Sequence, residues 1–283
     1  MFPDLFSESR TLTTMDVAQF LVFAAIGVFA GGVGGLLGIG GSTIFIPAAT
    51  LLYGEDQQAY QAAAMILNAF VAVTATIKHA RNGLVKREIV IPMGIAASVL
   101  VLVGVGLSNH LQGRILMQMF GGLLLCIAIN EMRLLGRRRR KTTKPSDDPV
   151  PPSTSHRPLL TAVGGVMGFT GGLLGIGGGT IGVPLLRITS RLPLKIAIAN
   201  VAAVTIPLAI IGAIYKNLSL ANLPEFTERS AHHALVMAMA VVPGAILGSW
   251  LGAELVHRLP LMAIRIAFIC LLLFAGTRMV GLH

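Results

Sequence analysis

The chain has 283 residues, of which 54% are hydrophobic and only 12% charged, and its net charge is +10. A soluble domain of this length carries about twice that share of charged residues, so a water-exposed globule is excluded. The basic residues cluster between long apolar blocks, and the basic run 137–141 has no aromatic residue in it. That is the pattern of loops flanking membrane spans, not of a nucleic-acid interface.

Residues 1–16 carry Asp4, Glu8 and Asp16 against Arg10 alone, the wrong sign for the basic start of a cleaved signal peptide. Block A, at 17–54, holds no Asp, Glu, Lys or Arg. As one straight helix it would be ~57 Å long, against a hydrocarbon core of ~30 Å. A glycine cluster sits in its middle, so block A is expected to break and turn back, as a re-entrant pair or as two short helices. Blocks B (59–77), C (89–110) and D (114–133) each fit one span. After a basic, Pro- and Ser-rich stretch come A′ (158–188), B′ (194–215), C′ (232–256) and D′ (259–278). Cys126 and Cys270 fall inside apolar blocks with no His or carboxylate cluster beside them, and are read as small packing residues with neither disulfide nor metal.

The chain repeats itself. Residues 34–47 read GGLLGIGGSTIFIP and residues 171–184 read GGLLGIGGGTIGVP, with 11 of 14 positions identical at an offset of 137. The domain plan is therefore an N-terminal transmembrane repeat (1–135), a cytoplasmic basic linker (136–157) and a C-terminal transmembrane repeat (158–283). The fold class is an all-α integral membrane protein. Each half has a Gly-broken re-entrant or paired short helix and three transmembrane helices.

Loop charges give an orientation. Lys78, Arg81, Lys86 and Arg87 after B, and the run 137–141, belong in the cytoplasm. Arg187, Arg191 and Lys195 put the A′–B′ loop on the same side, which requires A′ to enter and leave by one face. Three single crossings plus one even element invert the second half, giving an inverted-topology repeat.

Gly38, Gly40 and Gly41 in A, and Gly175, Gly177, Gly178 and Gly179 in A′, are the candidate ligand-lining glycines. Glycine reaches backbone conformations closed to other residues and lets a ligand approach the main chain. The half-helix after each break is expected to begin near Ser42, Thr43 and Thr180. Its first N–H groups lack helical partners, and its N-terminal end is partly positive. Two such ends could hold one anion near the midplane. Asn68, Asn200 and Thr205 add uncharged donors from B and B′. Lys78, His79, Arg81 and Arg265 are candidates for gating or anion recruitment. Gly31, Gly32, Gly164 and Gly165 are read as helix-packing glycines, and Pro47 and Pro184 as shaping short helices.

The duplicated GGLLGIGG-[SG]-T stretch with its following proline, the four apolar blocks per half and the polar central linker resemble the TauE/SafE family of anion exporters. The resemblance covers nearly the whole chain. It implies a transporter in the cell (inner or plasma) membrane that exports a small sulfur oxyanion, sulfite or an organosulfonate such as sulfoacetate, with no cofactor. The family's small-Thr-Ser pattern early in its second block is absent: B reads AAAMILNAF and B′ reads AIANVAAV. Asn68 and Asn200 are expected to take its place.

The expected partners are a small inorganic or organic anion and the lipid bilayer, with homo-oligomerisation left open and no nucleic acid. An anion channel of the same fold is one rival, distinguished by electrogenic, unsaturable flux. A non-transporting membrane assembly protein is another. An enzyme is disfavoured because the sequence has no HExxH, no Cys/His pair and no carboxylate cluster on one block.

Overall fold

The computed structural model describes residues 16–37, 40–54, 56–140, 157–190, 192–222, 228–255 and 261–281. Ten helices are present among them, and no strand. Backbone in hydrocarbon must satisfy its own hydrogen bonds, which leaves helices as the solution for chains of this composition.

Block A resolves into α1 (Val17–Leu37) and α2 (Ser42–Tyr53). They form a helical hairpin. A Cβ on Gly34 would lie 2.7 Å from the carbonyl carbon of Gly40, beside the break. At the open end the Phe23 and Tyr53 rings stack with centroids 4.8 Å apart. B, C and D become α3 (Gln57–Arg81), α4 (Arg87–Asn109) and α5 (Gly113–Arg140). The helix of α5 runs on into the basic stretch expected as linker, and residues 141–156 lie outside the described residues. The second half repeats the plan with α6 (Arg157–Leu174), α7 (Gly179–Ser190), α8 (Leu194–Asn222), α9 (Glu228–Leu255) and α10 (Leu261–Val280).

Six of these helices are long and apolar enough to cross a membrane. With 12 residues each, α2 and α7 would reach only ~18 Å and stop inside the bilayer. Their Pro47 and Pro184 lie within the short helices. Large apolar side chains such as Ile95, Val99, Trp250 and Phe274 face outward. In water such a surface would be an aggregation liability, but against lipid it costs nothing.

Glycine sets the helix packing. Added Cβ atoms on Gly27 and Gly31 of α1 would fall 2.2 and 2.1 Å from the carbonyl oxygens of Val241 and Ala245 in α9. Those on Gly164, Gly168 and Gly172 of α6 would fall 2.3, 2.3 and 2.4 Å from the carbonyls of Met93, Ala97 and Val101 in α4. Numbers rise together in both pairs, so α1 runs parallel to α9, and α6 to α4. These are small-residue contacts that bring backbones together. Gly31 and Gly164 are therefore packing residues, as the sequence suggested. Gly165 lies 2.9 Å from the Leu100 side chain on the same test, and Gly32 has 3.5 Å of room.

The pair α3 and α8 occupies the middle, each packed on the other and on α9 and α4 respectively. They run antiparallel. Asn200, near the start of α8, bonds to Leu84 and Lys86 just past the end of α3, while Lys216, near the end of α8, bonds to Gln58 at the start of α3. One correction concerns the cysteines. Cys126 and Cys270 are free thiols, but both are exposed on the outer surface of the helices rather than packed within. Position within an apolar block does not distinguish a lipid-facing side from a buried one.

Candidate functional site

The two glycine breaks meet, and Asn68 lies between them. Asn68 stands eleven residues into α3 and is 1% exposed. Its Oδ1 accepts from the backbone N–H of Ser42 at 3.2 Å, and its Nδ2 donates to the carbonyl of Gly175 at 3.2 Å. One side chain from the first half thus caps the N-terminus of α2 and holds the opposite break. A Cβ on Gly40 would lie 3.0 Å from Asn68 Oδ1, and one on Gly177 only 2.7 Å from Asn68 Nδ2.

Backbone conformation explains why glycine occupies these positions. Gly40 has φ +81°, and Gly175, Gly177 and Gly178 have +73°, +64° and +77°. A side chain there would be strained as well as crowded. Gly41, by contrast, has φ −72° and serves as the N-cap of α2. Gly179 opens α7. Gly38 lies outside the described residues.

Just inside each break stands a threonine. Thr43 Oγ1 and Thr180 Oγ1 are 3.2 Å apart and both residues are buried. Two donors near this centre are buried without a hydrogen-bond partner: Ser42 Oγ and Gln61 Nε2. Gln61 touches the second break, since a Cβ on Gly175 would lie 3.0 Å from Gln61 Cβ. The side chains at this centre are thus polar and uncharged, and their hydroxyls can donate to an acceptor-only ligand.

The remaining candidates make other contacts. Asn200 is fully buried, but its Oδ1 accepts from Lys86 N at 2.7 Å and its Nδ2 donates to Leu84 O and Ile196 O at 3.2 and 2.7 Å. Its amide ties down the α3–α4 loop and does not meet Asn68. Thr205 Oγ1 bonds within its own helix to Val201 O at 2.9 Å. Lys78, His79 and Arg81 form the last turn of α3, with Lys78 and Arg81 exposed and His79 half-buried. The side chain of Arg265 lies outside the described residues.

The structure also exposes a cluster that sequence reasoning missed. Lys216 is fully buried and donates to Gln58 Oε1, to Ser108 Oγ at 2.9 Å and to Asn109 Oδ1 at 2.9 Å. Ser108 Oγ in turn donates to Gln61 Oε1 at 2.9 Å. The uncharged run of B′ ends at Tyr215, one residue before this lysine. Because α8 continues to Asn222, the lysine falls inside a helix, not after it. An apolar run resuming beyond a single charge was the available signal.

Lipid-facing helices around a buried polar centre, where paired glycine breaks meet, define a multi-pass membrane protein. The chain belongs to the sulfite exporter TauE/SafE family, whose model matches residues 23–279. That match spans both glycine motifs and the stretch between them. No curated protein and no solved structure matches the chain.

Proposed function

We propose that this protein exports a small sulfur oxyanion, sulfite or a short sulfonate, through the site where the glycine breaks of its two halves meet. The observation that carries the reading is Asn68 joining the α2 N-terminus to Gly175, with further buried donors on Ser42 and on Gln61, whose side-chain stem packs against Gly175. Helix N-termini and fixed neutral donors stabilise an oxyanion without trapping it as a salt.

Transport proceeds by alternating exposure of this centre, with the two repeats arranged as inverted halves. Support comes from the pairing of the helices: α1 with α9 and α4 with α6 are equivalent pairs under the 137-residue offset, and the equivalent helices α3 and α8 run antiparallel. In this arrangement the α2–α3 turn faces outside, and the α3–α4 loop, the central linker and the 190–194 turn face the cytoplasm. Lys78, His79 and Arg81 then raise the local anion concentration at the inner mouth.

The test is sulfite efflux from proteoliposomes carrying the purified protein. Saturable sulfite efflux, competed by methanesulfonate and not by chloride, is the expected result. Flux that never saturates would assign a channel instead, and no sulfite flux at all would remove the reading.

A further inference from the structure

Lys216 makes no contact with the glycine breaks, yet it is the one ionisable Lys, Arg, Asp or Glu side chain buried in the described core. It is fully buried six residues before the end of α8, so its ammonium does not snorkel to the surface. Ionisable groups held within a membrane protein in this way mark function more often than packing.

Its partners solvate it without neutralising it. Gln58 Oε1, Ser108 Oγ and Asn109 Oδ1 take up its three N–H groups, and none of them carries charge. Among the described residues the one ion pair is His233 with Asp56, so no described carboxylate lies within 4 Å of Lys216. Three acceptors face its Nζ, and no described carboxylate balances an ammonium there.

The hydrogen bonds around it have a direction. Gln58 Nε2 donates to the carbonyls of Ser108 and Leu111 at 2.9 and 3.0 Å, which turns its Oε1 toward the lysine. Ser108 Oγ accepts from the lysine, so its own proton goes to Gln61 Oε1. That leaves Gln61 Nε2 as a buried donor without a partner, on a side chain whose stem lies against Gly175. Each link donates away from the lysine, and the series ends on an unused N–H of a residue that packs on the second glycine break. Polarisation along such a series strengthens its last donor.

We infer that Lys216 is the counter-charge of an oxyanion bound at the glycine breaks, acting through Ser108 and Gln61. This deepens the transport reading and rests on its placing an anion at that site. A cation there would meet like charge, and a neutral solute would leave the lysine unbalanced. A lysine serving only to join α3, α4 and α8 would do no better than an apolar side chain of the same volume, and would give no reason for the free donor on Gln61.

The test uses the purified full-length protein and two variants, Lys216→Met and Gln61→Glu. Thermal melting is measured with sulfite, sulfate, methanesulfonate and chloride, and sulfite flux is measured in proteoliposomes. The wild type is expected to melt higher with at least one oxyanion. Lys216→Met should lose that shift and raise the KM for sulfite by ~30-fold or more, the scale of removing one partner of a desolvated charge pair, with maximal flux falling less. Gln61→Glu supplies an internal carboxylate. It should lose the oxyanion shift while melting no lower than the wild type without anion, an outcome that a merely structural lysine does not produce. Should Lys216→Met fail to fold, Gln61→Glu alone decides. Wild-type oxyanion shifts in a folded variant would overturn the inference, and no shift in the wild type with any of the four salts would overturn it together with the anion site. A shift that is present, lost in the variants and accompanied by no sulfite flux would keep the inference and sink the transport reading.

Discussion

The hydroxyls of Thr43 and Thr180 meet at 3.2 Å across 137 residues of sequence, and 137 is also the offset of the internal repeat. Each is the other's counterpart, and equivalent residues touch only close to whatever axis relates the halves. Their coupling can be measured. In a cycle of Thr43→Val, Thr180→Val and the double variant, the coupling should be ~1 kcal/mol in unfolding free energy. A value near zero would mean that the two hydroxyls are held by other groups and merely lie close.

Asn68 should separate stability from anion recognition. Asn68→Ala leaves the Ser42 N–H and the Gly175 carbonyl without their buried partner, which should cost ~2–4 kcal/mol and lower the melting temperature. Asn68→Asp keeps an acceptor for Ser42 N but places negative charge at the meeting of the breaks. It should raise the KM for sulfite well beyond the Ala variant. Equal KM values in the two variants would show that the anion does not approach Asn68.

Much of this architecture was legible in the sequence because hydrophobic blocks and glycine clusters report directly on helix length and helix breaks. The block at 17–54 was too long to span once, and the hairpin of α1 and α2 follows from that length. What could not be read was the partner of each polar residue inside a span. Asn68 and Asn200 look alike as asparagines in apolar blocks, yet one joins the two breaks and the other fastens the α3–α4 loop. Which of these occurs depends on helix rotation and tilt, which a charge-free run does not encode. Gln58, Gln61 and Ser108 escaped for the same reason, since they become a network only when α3, α4 and α8 are side by side.

Asn200 gives the contrasting prediction. Its three hydrogen bonds go to backbone groups of the α3–α4 loop and of its own helix. Asn200→Ala should therefore lower the melting temperature, by ~1–3 kcal/mol in unfolding free energy, while the KM for sulfite stays at the wild-type value. A KM that rises as far as in Asn68→Asp would return Asn200 to the anion site.

The orientation of the halves can be tested by accessibility in a variant without Cys126 and Cys270, so that only an introduced thiol can react. With the halves inverted, Gly54→Cys in the α2–α3 turn should be labelled by a membrane-impermeant reagent added outside intact cells. Lys195→Cys, an exposed position at the start of α8, should be labelled only after the membrane is opened. Outside labelling at Lys195 would mean that the α6–α7 hairpin crosses once, and the inverted arrangement would fall.

Glycines should sort into two classes by what an added methyl group meets. Gly31→Ala would drive a Cβ to 2.1 Å from the Ala245 carbonyl oxygen, so α1 and α9 must separate, and expression and melting temperature should both drop. Gly122→Ala meets nothing within 4 Å in the middle of α5 and should be neutral or stabilising by ~0.5–1 kcal/mol, the helix-propensity gain. Gly177→Leu falls in neither class. Its side chain would enter the space of Asn68 at φ +64°, displacing the group that joins the two breaks. Because the long spans are untouched, the protein should still insert in the membrane and run as a single species in detergent, with sulfite efflux abolished. Wild-type efflux from both Gly40→Leu and Gly177→Leu would take the glycine breaks out of the transport path, since neither position can hold a leucine without moving Asn68.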